Sequence, residues 1–176
     1  MSIESILTAV VPITVAGVVT ISVGYYLIKS DIDKYFRLRF ASAKKEERTQ
    51  LFSLRLQAHE RLIVFVERIN PSNLFLRLYV PGISVKELQG LVLNEIRSEY
   101  QHNVTQQLYV SERVWNVVRK LKDDTLAMVN HGVQGLPEQA TGMDLSKKVL
   151  QHMAEIADNP YDLTLDLVKK DIHQLF

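Results

Sequence analysis

From Ile6 to Ile28 the chain runs 23 residues without a charge, and twelve of them are Ile, Leu or Val. A helix of that length spans roughly 34 Å, enough for a bilayer core of about 30 Å. Helical backbone also satisfies its own N–H and C=O groups, which lipid cannot do. Each Ile, Leu or Val favours insertion by about 0.3–0.6 kcal/mol, so the aliphatic content outweighs the Thr, Ser, Gly and Pro residues among it. Pro12 and Gly17 do not bar a membrane helix, because both residue types are common there. A cleaved signal peptide would need a basic start, a shorter apolar run and a small-x-small cleavage site. The segment Met1-Ser2-Ile3-Glu4-Ser5 holds no Lys or Arg, and Tyr25-Tyr26-Leu27-Ile28 offers no small pair. The run therefore reads as an uncleaved transmembrane helix.

Its flanks set the expected orientation. Lys29, Lys34, Arg37, Arg39, Lys44, Lys45 and Arg48 follow the run, whereas Glu4 is the only charged side chain before it. Positive flanks stay in the cytoplasm, so residues 1–5 are expected outside and the body inside. The organisation read from the sequence is thus a short N-terminus at 1–5, a membrane helix at 6–28, a basic juxtamembrane segment at 29–47 and a helical domain at 48–176. Tyr25, Tyr26, Tyr35 and Phe36 suit an interfacial aromatic belt. Ala16, Thr20 and Gly24 recur every four residues, a stripe that would let another helix approach closely. The basic segment could also touch anionic headgroups, although Asp31, Asp33, Glu46 and Glu47 dilute it.

Beyond Asp31 the apolar spacing is helical throughout. The charged segment to Glu47 either continues the membrane helix or bends at Ser30. Leu51, Leu54, Ala58, Leu62, Phe65 and Ile69 form one stripe, and Leu62-Ile63-Val64-Phe65-Val66 is apolar on all sides, the mark of a central buried helix. Asn70-Pro71 is a cap followed by proline at the first helical position. Pro81-Gly82 is a break, and Ser84…Glu87 is a capping box. Val85, Leu88, Val92, Ile96 and Tyr100 give that helix its inner face. Ser111 caps a helix to about Asn130, with Val114, Val117, Val118, Leu121 and Met128 inward. Residues 131–142 read as the longest loop. Thr141…Asp144 opens a helix carrying Leu145, Val149, Met153 and Ile156. Asn159-Pro160 opens the last one, with Tyr161, Leu165, Val168, Ile172 and Phe176 inward. Residues 73–80 and 107–110 could alternate as strands but lack partners. The expected fold is all-α: one transmembrane helix, then a cytoplasmic domain of five or six helices.

The chemistry is sparse. With no cysteine, disulfides, thiolate metal sites and thiol catalysis are excluded. Twenty-one Lys and Arg against 20 Asp and Glu leave no basic surplus for a general nucleic-acid binder. His59-Glu60 begins like a zincin motif, but the second His would have to stand where Ile63 is. His59 instead reads as a hydrogen-bonded histidine at the edge of the core, and Trp115 as a core residue. His152 and Glu155 could hold half of a metal site without a visible second half. No phosphate-binding glycine loop and no nucleophile elbow is present. Asn103-Val104-Thr105 fits a glycosylation sequon that a cytoplasmic position would make irrelevant. Glu60-Arg61 and Glu67-Arg68 repeat at seven residues, as ion-pairing groups between helices or as an interaction face. No catalytic, cofactor-binding or metal residue is assigned.

The segments Leu56-Gln57-Ala58-His59-Glu60-Arg61-Leu62, Glu67-Arg68-Ile69-Asn70-Pro71, Glu99-Tyr100-Gln101-His102-Asn103 and Gln106-Gln107-Leu108-Tyr109-Val110-Ser111 resemble a family of uncharacterised, membrane-anchored helical proteins of Bacteroidota-type bacteria. The likeness covers roughly residues 1 to 130. It implies a bacterial source, an N-terminal anchor in the inner membrane and a helical body, and it supplies no activity.

The expected function is that of a bitopic, non-enzymatic accessory, scaffold or adaptor subunit. Its partners would be the lipid bilayer and either another protein or a second copy of itself, with no nucleic acid, cofactor or small-molecule substrate. Two alternatives stand beside it: an enzyme with an unconventional site drawn from His59, Glu60, Arg61 or His102, and a module binding anionic lipid through residues 29–48.

Overall fold

A computed structural model describes the backbone of residues 3–173 and the side chains of residues 10–29, 31–35, 39 and 45–173. Among these residues the chain is all-helical. The helices are α1 (Ile3–Ile69), α2 (Pro71–Leu78), α3 (Val85–Asn103), α4 (Glu112–Val133), α5 (Gly142–Glu155) and α6 (Pro160–His173), with a 3₁₀ turn at Val104–Leu108 between α3 and α4. The chain divides into two compact units, Met1–Gln50 and Leu51–Phe176.

In the first unit α1 continues through Ser30 without a break. Val10–Tyr35 is long and apolar enough to cross a membrane, and none of its most apolar stretch is buried. Thr14, Thr20 and Ser22 turn their hydroxyls back onto carbonyls one turn earlier, Thr20 to Ala16 O at 2.8 Å and Ser22 to Val18 O at 2.7 Å. The polar atoms are thereby satisfied within the helix, as an apolar surrounding requires.

The second unit is built on local signals. The Asn70 side chain accepts the N–H of Ser72 at 3.1 Å, and Pro71 takes the first helical position. Residues 73–78, which alternate enough to suggest a strand, are therefore helix. Gly82, at φ 85°, makes the turn that a side chain would strain. Ser84 and Glu87 close the capping box of α3, Glu87 N–H to Ser84 Oγ at 3.3 Å and Ser84 N–H to Glu87 Oε2 at 3.1 Å. Asp144 does the same at α5, accepting the N–H and hydroxyl of Thr141 at 2.8 Å each. These two starts lie side by side, with Gly142 N–H donating to Ile83 O at 2.9 Å. A Cβ on Gly142 would sit 2.6 Å from Ile83 Cγ2 and 3.0 Å from Ile83 O, so only glycine lets the two starts meet.

The core joins Leu62, Phe65, Val66 and Ile69 of α1 to Leu88, Val92 and Ile96 of α3, Val118 and Val129 of α4, Leu145 and Val149 of α5, and Tyr161 and Val168 of α6. Tyr100 of α3 stacks on Trp115 of α4 at a centroid distance of 5.6 Å and meets Phe65 of α1 at a tilt, 6.3 Å away. Four expectations need correction. Leu51 and Leu54 are exposed, because burial on α1 begins only at Ala58. Val64 is 55% exposed, so the apolar run 62–66 has one outer face. Residues 107–110 belong to the 3₁₀ turn and the bend after it, and α4 extends to Val133, which shortens the loop expected at 131–142. Phe176 lies outside the described residues.

Candidate functional site

Ser111 is the N-cap of α4, its hydroxyl oxygen accepting the N–H of Val114 at 3.3 Å. Its backbone N–H donates to Asp171 Oδ2 at 3.3 Å. The same carboxylate oxygen lies 2.9 Å from Nε2 of His59, whose Nδ1 lies 2.6 Å from the carbonyl oxygen of Arg55 one turn earlier. The His59 side chain is 1% exposed and that of Asp171 15%. Burial pushes the Asp171 carboxyl up, but hydrogen bonds from the Ser111 hydroxyl, His59 and the Ser111 N–H, with the His59 charge, outweigh it. The carboxyl is held below its ordinary value.

The order of the three groups decides what they can do. An acyl-transfer site sets the histidine between nucleophile and carboxylate, so that the base can take the hydroxyl proton. Here the carboxylate stands in the middle, and the Ser111 oxygen is engaged in capping. The cluster joins α1, α4 and α6 through one oxygen atom, which is a structural tie.

Glu60 and Arg61 do not join it. His59 is buried, while its two neighbours are exposed and, with Val64 and Arg68, line a groove of about 560 Å³ against Ser98, Glu99 and His102 of α3. Arg68 is engaged there, its Nε 2.7 Å from Glu99 Oε1 and its Nη2 3.3 Å from Glu95 Oε1. Arg77 of α2 shares Glu95 at 3.2 Å. Glu67 takes up the Asn73 amide, which also donates to the Glu67 carbonyl at 2.8 Å. Among the described residues, Glu60 and Arg61 enter no ion pair within the chain.

A second groove, of about 720 Å³, runs between α4 and α6, with Val117, Leu121, Leu163 and Leu167 among its apolar residues and Lys120, Asp124, Asp166 and Lys170 among its charged ones. His152 shares a cavity of about 200 Å³ with His131 and Lys148 rather than completing a site with Glu155. Among the described residues no three His, Asp or Glu stand close enough to hold a metal ion. The sequence offers no local sign that His131 and His152 line one cavity, or that Asp171 is the partner of His59.

In the first unit, Gly24 is half-buried and a Cβ there would meet nothing within 4 Å. Lys29 lies 5.8 Å over the Tyr25 ring, and Lys34 reaches Asp31 at 4.0 Å. Arg39 donates to the Tyr35 hydroxyl at 3.0 Å with its guanidinium 5.4 Å from that ring. Lys45 is exposed, and the Arg37 and Lys44 side chains lie outside the described residues.

No curated protein and no solved structure matches the chain. The model of a family of unknown function, DUF7935, matches residues 5–175, nearly the whole length, and the chain belongs to that family.

Proposed function

We propose that the chain is a bitopic accessory or scaffold subunit, anchored in the inner membrane of a bacterium with its helical unit in the cytoplasm, and that it works by holding a protein partner or a second copy of itself. The observation that carries this reading is the exposed apolar stretch Val10–Tyr35 of α1. A helix of that kind favours lipid, and lipid supplies no hydrophobic force for pairing. Close approach at Ala16, Thr20 and Gly24 would then be the means of association. The Thr20 hydroxyl is bonded to Ala16 O within its own helix, so this side presents small groups rather than unsatisfied polar ones. Tethering would raise the effective concentration of the second unit near its partner, so that weak contacts suffice there.

Glu60 and Arg61 support a contact on the second unit. Of the two Glu-Arg pairs on α1, Glu67 and Arg68 serve bonds within the chain, whereas Glu60 and Arg61 stand at the mouth of the α1–α3 groove with their charges unpaired among the described residues. The test is purification of the full-length protein in mild detergent, followed by native mass spectrometry. An oligomer or a stoichiometric partner, lost on Gly24→Leu and weakened on Arg61→Glu, is the expected result. A strictly monomeric protein with nothing bound would remove the scaffold reading. For the orientation, a C-terminal alkaline phosphatase fusion should be inactive and a green fluorescent fusion bright.

A further inference from the structure

His59 is a buried titratable group that the scaffold reading does not use, and its two contacts carry an inference of their own. Nδ1 faces the Arg55 carbonyl oxygen at 2.6 Å, and a carbonyl can only accept. Nε2 faces Asp171 Oδ2 at 2.9 Å. A neutral imidazole has one N–H, so it can serve only one of two acceptors. The other contact would then set a lone pair against an oxygen, on a ring that is only 1% exposed. Two protons are needed, one on Nδ1 and one between Nε2 and the carboxylate. Asp171 already accepts the Ser111 N–H at 3.3 Å and the Ser111 hydroxyl, bonds that favour its ionised form. The second proton therefore belongs on the ring.

We propose that His59 is doubly protonated in the folded chain, and that this buried cation is a proton-dependent clasp binding α6 to α1 and to the first turn of α4. The charged groups around it fit this. From α6 comes the Asp171 carboxylate, the one ion pair His59 makes among the described residues. The start of α4 contributes the uncharged Ser111, while Arg113 faces the α4–α6 groove beside Asp171. On its own helix, Arg55 offers its backbone oxygen, and Glu60 is exposed. Withdrawing the proton forces a choice: the ring keeps Asp171 and abandons the Arg55 carbonyl, or the reverse. Either way the charge-assisted pair with Asp171 is lost, reduced to a neutral hydrogen bond in the first case and broken in the second, and the hold on the last turn of α6 weakens.

The native fold holds a proton that a neutral unfolded histidine lacks. The direct test is ring-nitrogen NMR on the full-length, histidine-labelled protein in detergent. Both His59 nitrogens should show attached protons at neutral pH, and Asp171→Asn, which keeps the shape but offers a neutral acceptor, should leave one of them bare. Amide exchange in the last turn of α6 should speed up roughly tenfold or more in that variant. A single ring proton on His59 in the unaltered protein would overturn the proposal, and so would a ring unchanged by Asp171→Asn. If that variant does not fold, the unaltered protein still decides. Its His59 must lose a ring proton, and α6 must lose protection beyond the intrinsic base acceleration that α3 shows, in the same pH interval.

Discussion

Tyr161 and Thr125 allow a mutational cycle whose asymmetry follows from the direction of two hydrogen bonds. Both residues are buried, Tyr161 being 1% and Thr125 0% exposed. The Thr125 hydroxyl donates to Leu121 O at 2.7 Å, and its oxygen lies 2.6 Å from the Tyr161 hydroxyl. Threonine has one hydroxyl hydrogen, already committed, so Tyr161 must donate. Burial pushes the Tyr161 hydroxyl up to about 12, the Thr125 bond opposing this and the Asp124 charge adding to it, so the phenol keeps its proton at any ordinary pH. Tyr161→Phe removes the donor. Thr125 keeps its bond to the carbonyl, and the loss is one hydrogen bond, about 0.5–1.5 kcal/mol. Thr125→Val removes the acceptor in a side chain of the same branched shape. The phenol hydroxyl is left buried without a partner, which costs about 1–3 kcal/mol. The double variant has neither group and should recover part of the Thr125→Val loss. Trp115 is the single tryptophan, is buried and stacks on Tyr100, so its fluorescence reports unfolding of this unit. Urea midpoints of the full-length protein in mild detergent give the four stabilities. A Tyr161→Phe loss equal to or greater than that of Thr125→Val, or strictly additive losses in the double variant, would refute the assigned direction.

Gly132→Ala should destabilise despite alanine's better helix propensity, because its Cβ would lie 2.7 Å from Val149 Cγ2 and 3.1 Å from Leu145 Cδ1; the net loss should be about 1 kcal/mol or more and should shrink when Val149→Ala opens the space. Gly24→Leu has no such contact to break, so it should leave the urea midpoint unchanged while dissociating any complex seen by native mass spectrometry. Ser84 lowers the Glu87 carboxyl and Thr141 that of Asp144, so these caps contribute stability above the ordinary carboxylate range and lose it as pH falls. Acid titration followed by circular dichroism should accordingly show a flatter acid limb for the Glu87→Gln, Asp144→Asn double variant. Arg68→Ala should cost about 1 kcal/mol, since it leaves Glu99, 16% exposed, without its close partner; an unchanged midpoint would mean that the network adds nothing.

What could be read from the sequence was what is written within four residues. Asn70-Pro71, Ser84…Glu87, Ser111, Thr141…Asp144 and Asn159-Pro160 each place the helix start that the structure has, because a cap is a bond between near neighbours. The apolar period likewise chose the inner faces of α3, α4 and α5. Period identifies a face but not how far its cover extends, and so Leu51 and Leu54 continue the stripe of Ala58 and Leu62 yet lie exposed. The side-chain clusters were legible in part. His59 reads as a satisfied core histidine from its place beside the stripe, but its partner is 112 residues away among the several acids of α6. Glu60 and Arg61, adjacent in sequence to His59, belong to a different surface, because one step along a helix turns the side chain by about 100°.

The two polar pairs of α6 also explain each other's placement. Tyr161 stands in its first turn and Asp171 in its last, about 15 Å apart along the axis. Tyr161 meets Thr125 in the body of α4 and Asp171 meets Ser111 at the start of α4, so α6 lies antiparallel to α4 with a polar pin near each end. Between the pins, α6 buries Thr164, Leu165 and Val168, a short apolar face that a rotation or a slide by one turn could still partly cover. Hydrophobic burial is non-directional and discriminates weakly among such packings. A misplaced α6 would instead leave the buried Tyr161 hydroxyl and the buried His59 imidazole without their partners, which is far costlier than shifted aliphatic contacts. Buried ion pairs contribute little net stability when compared with well-packed apolar residues, and their best-attested use is to fix register. On that argument, replacing His59 and Asp171 together by a well-fitting apolar pair should leave the urea midpoint near its starting value or raise it. The same change should broaden the Tyr161 and Leu165 resonances, as α6 samples more than one register. A sharp, single set of signals in that variant would show that apolar packing alone places the helix.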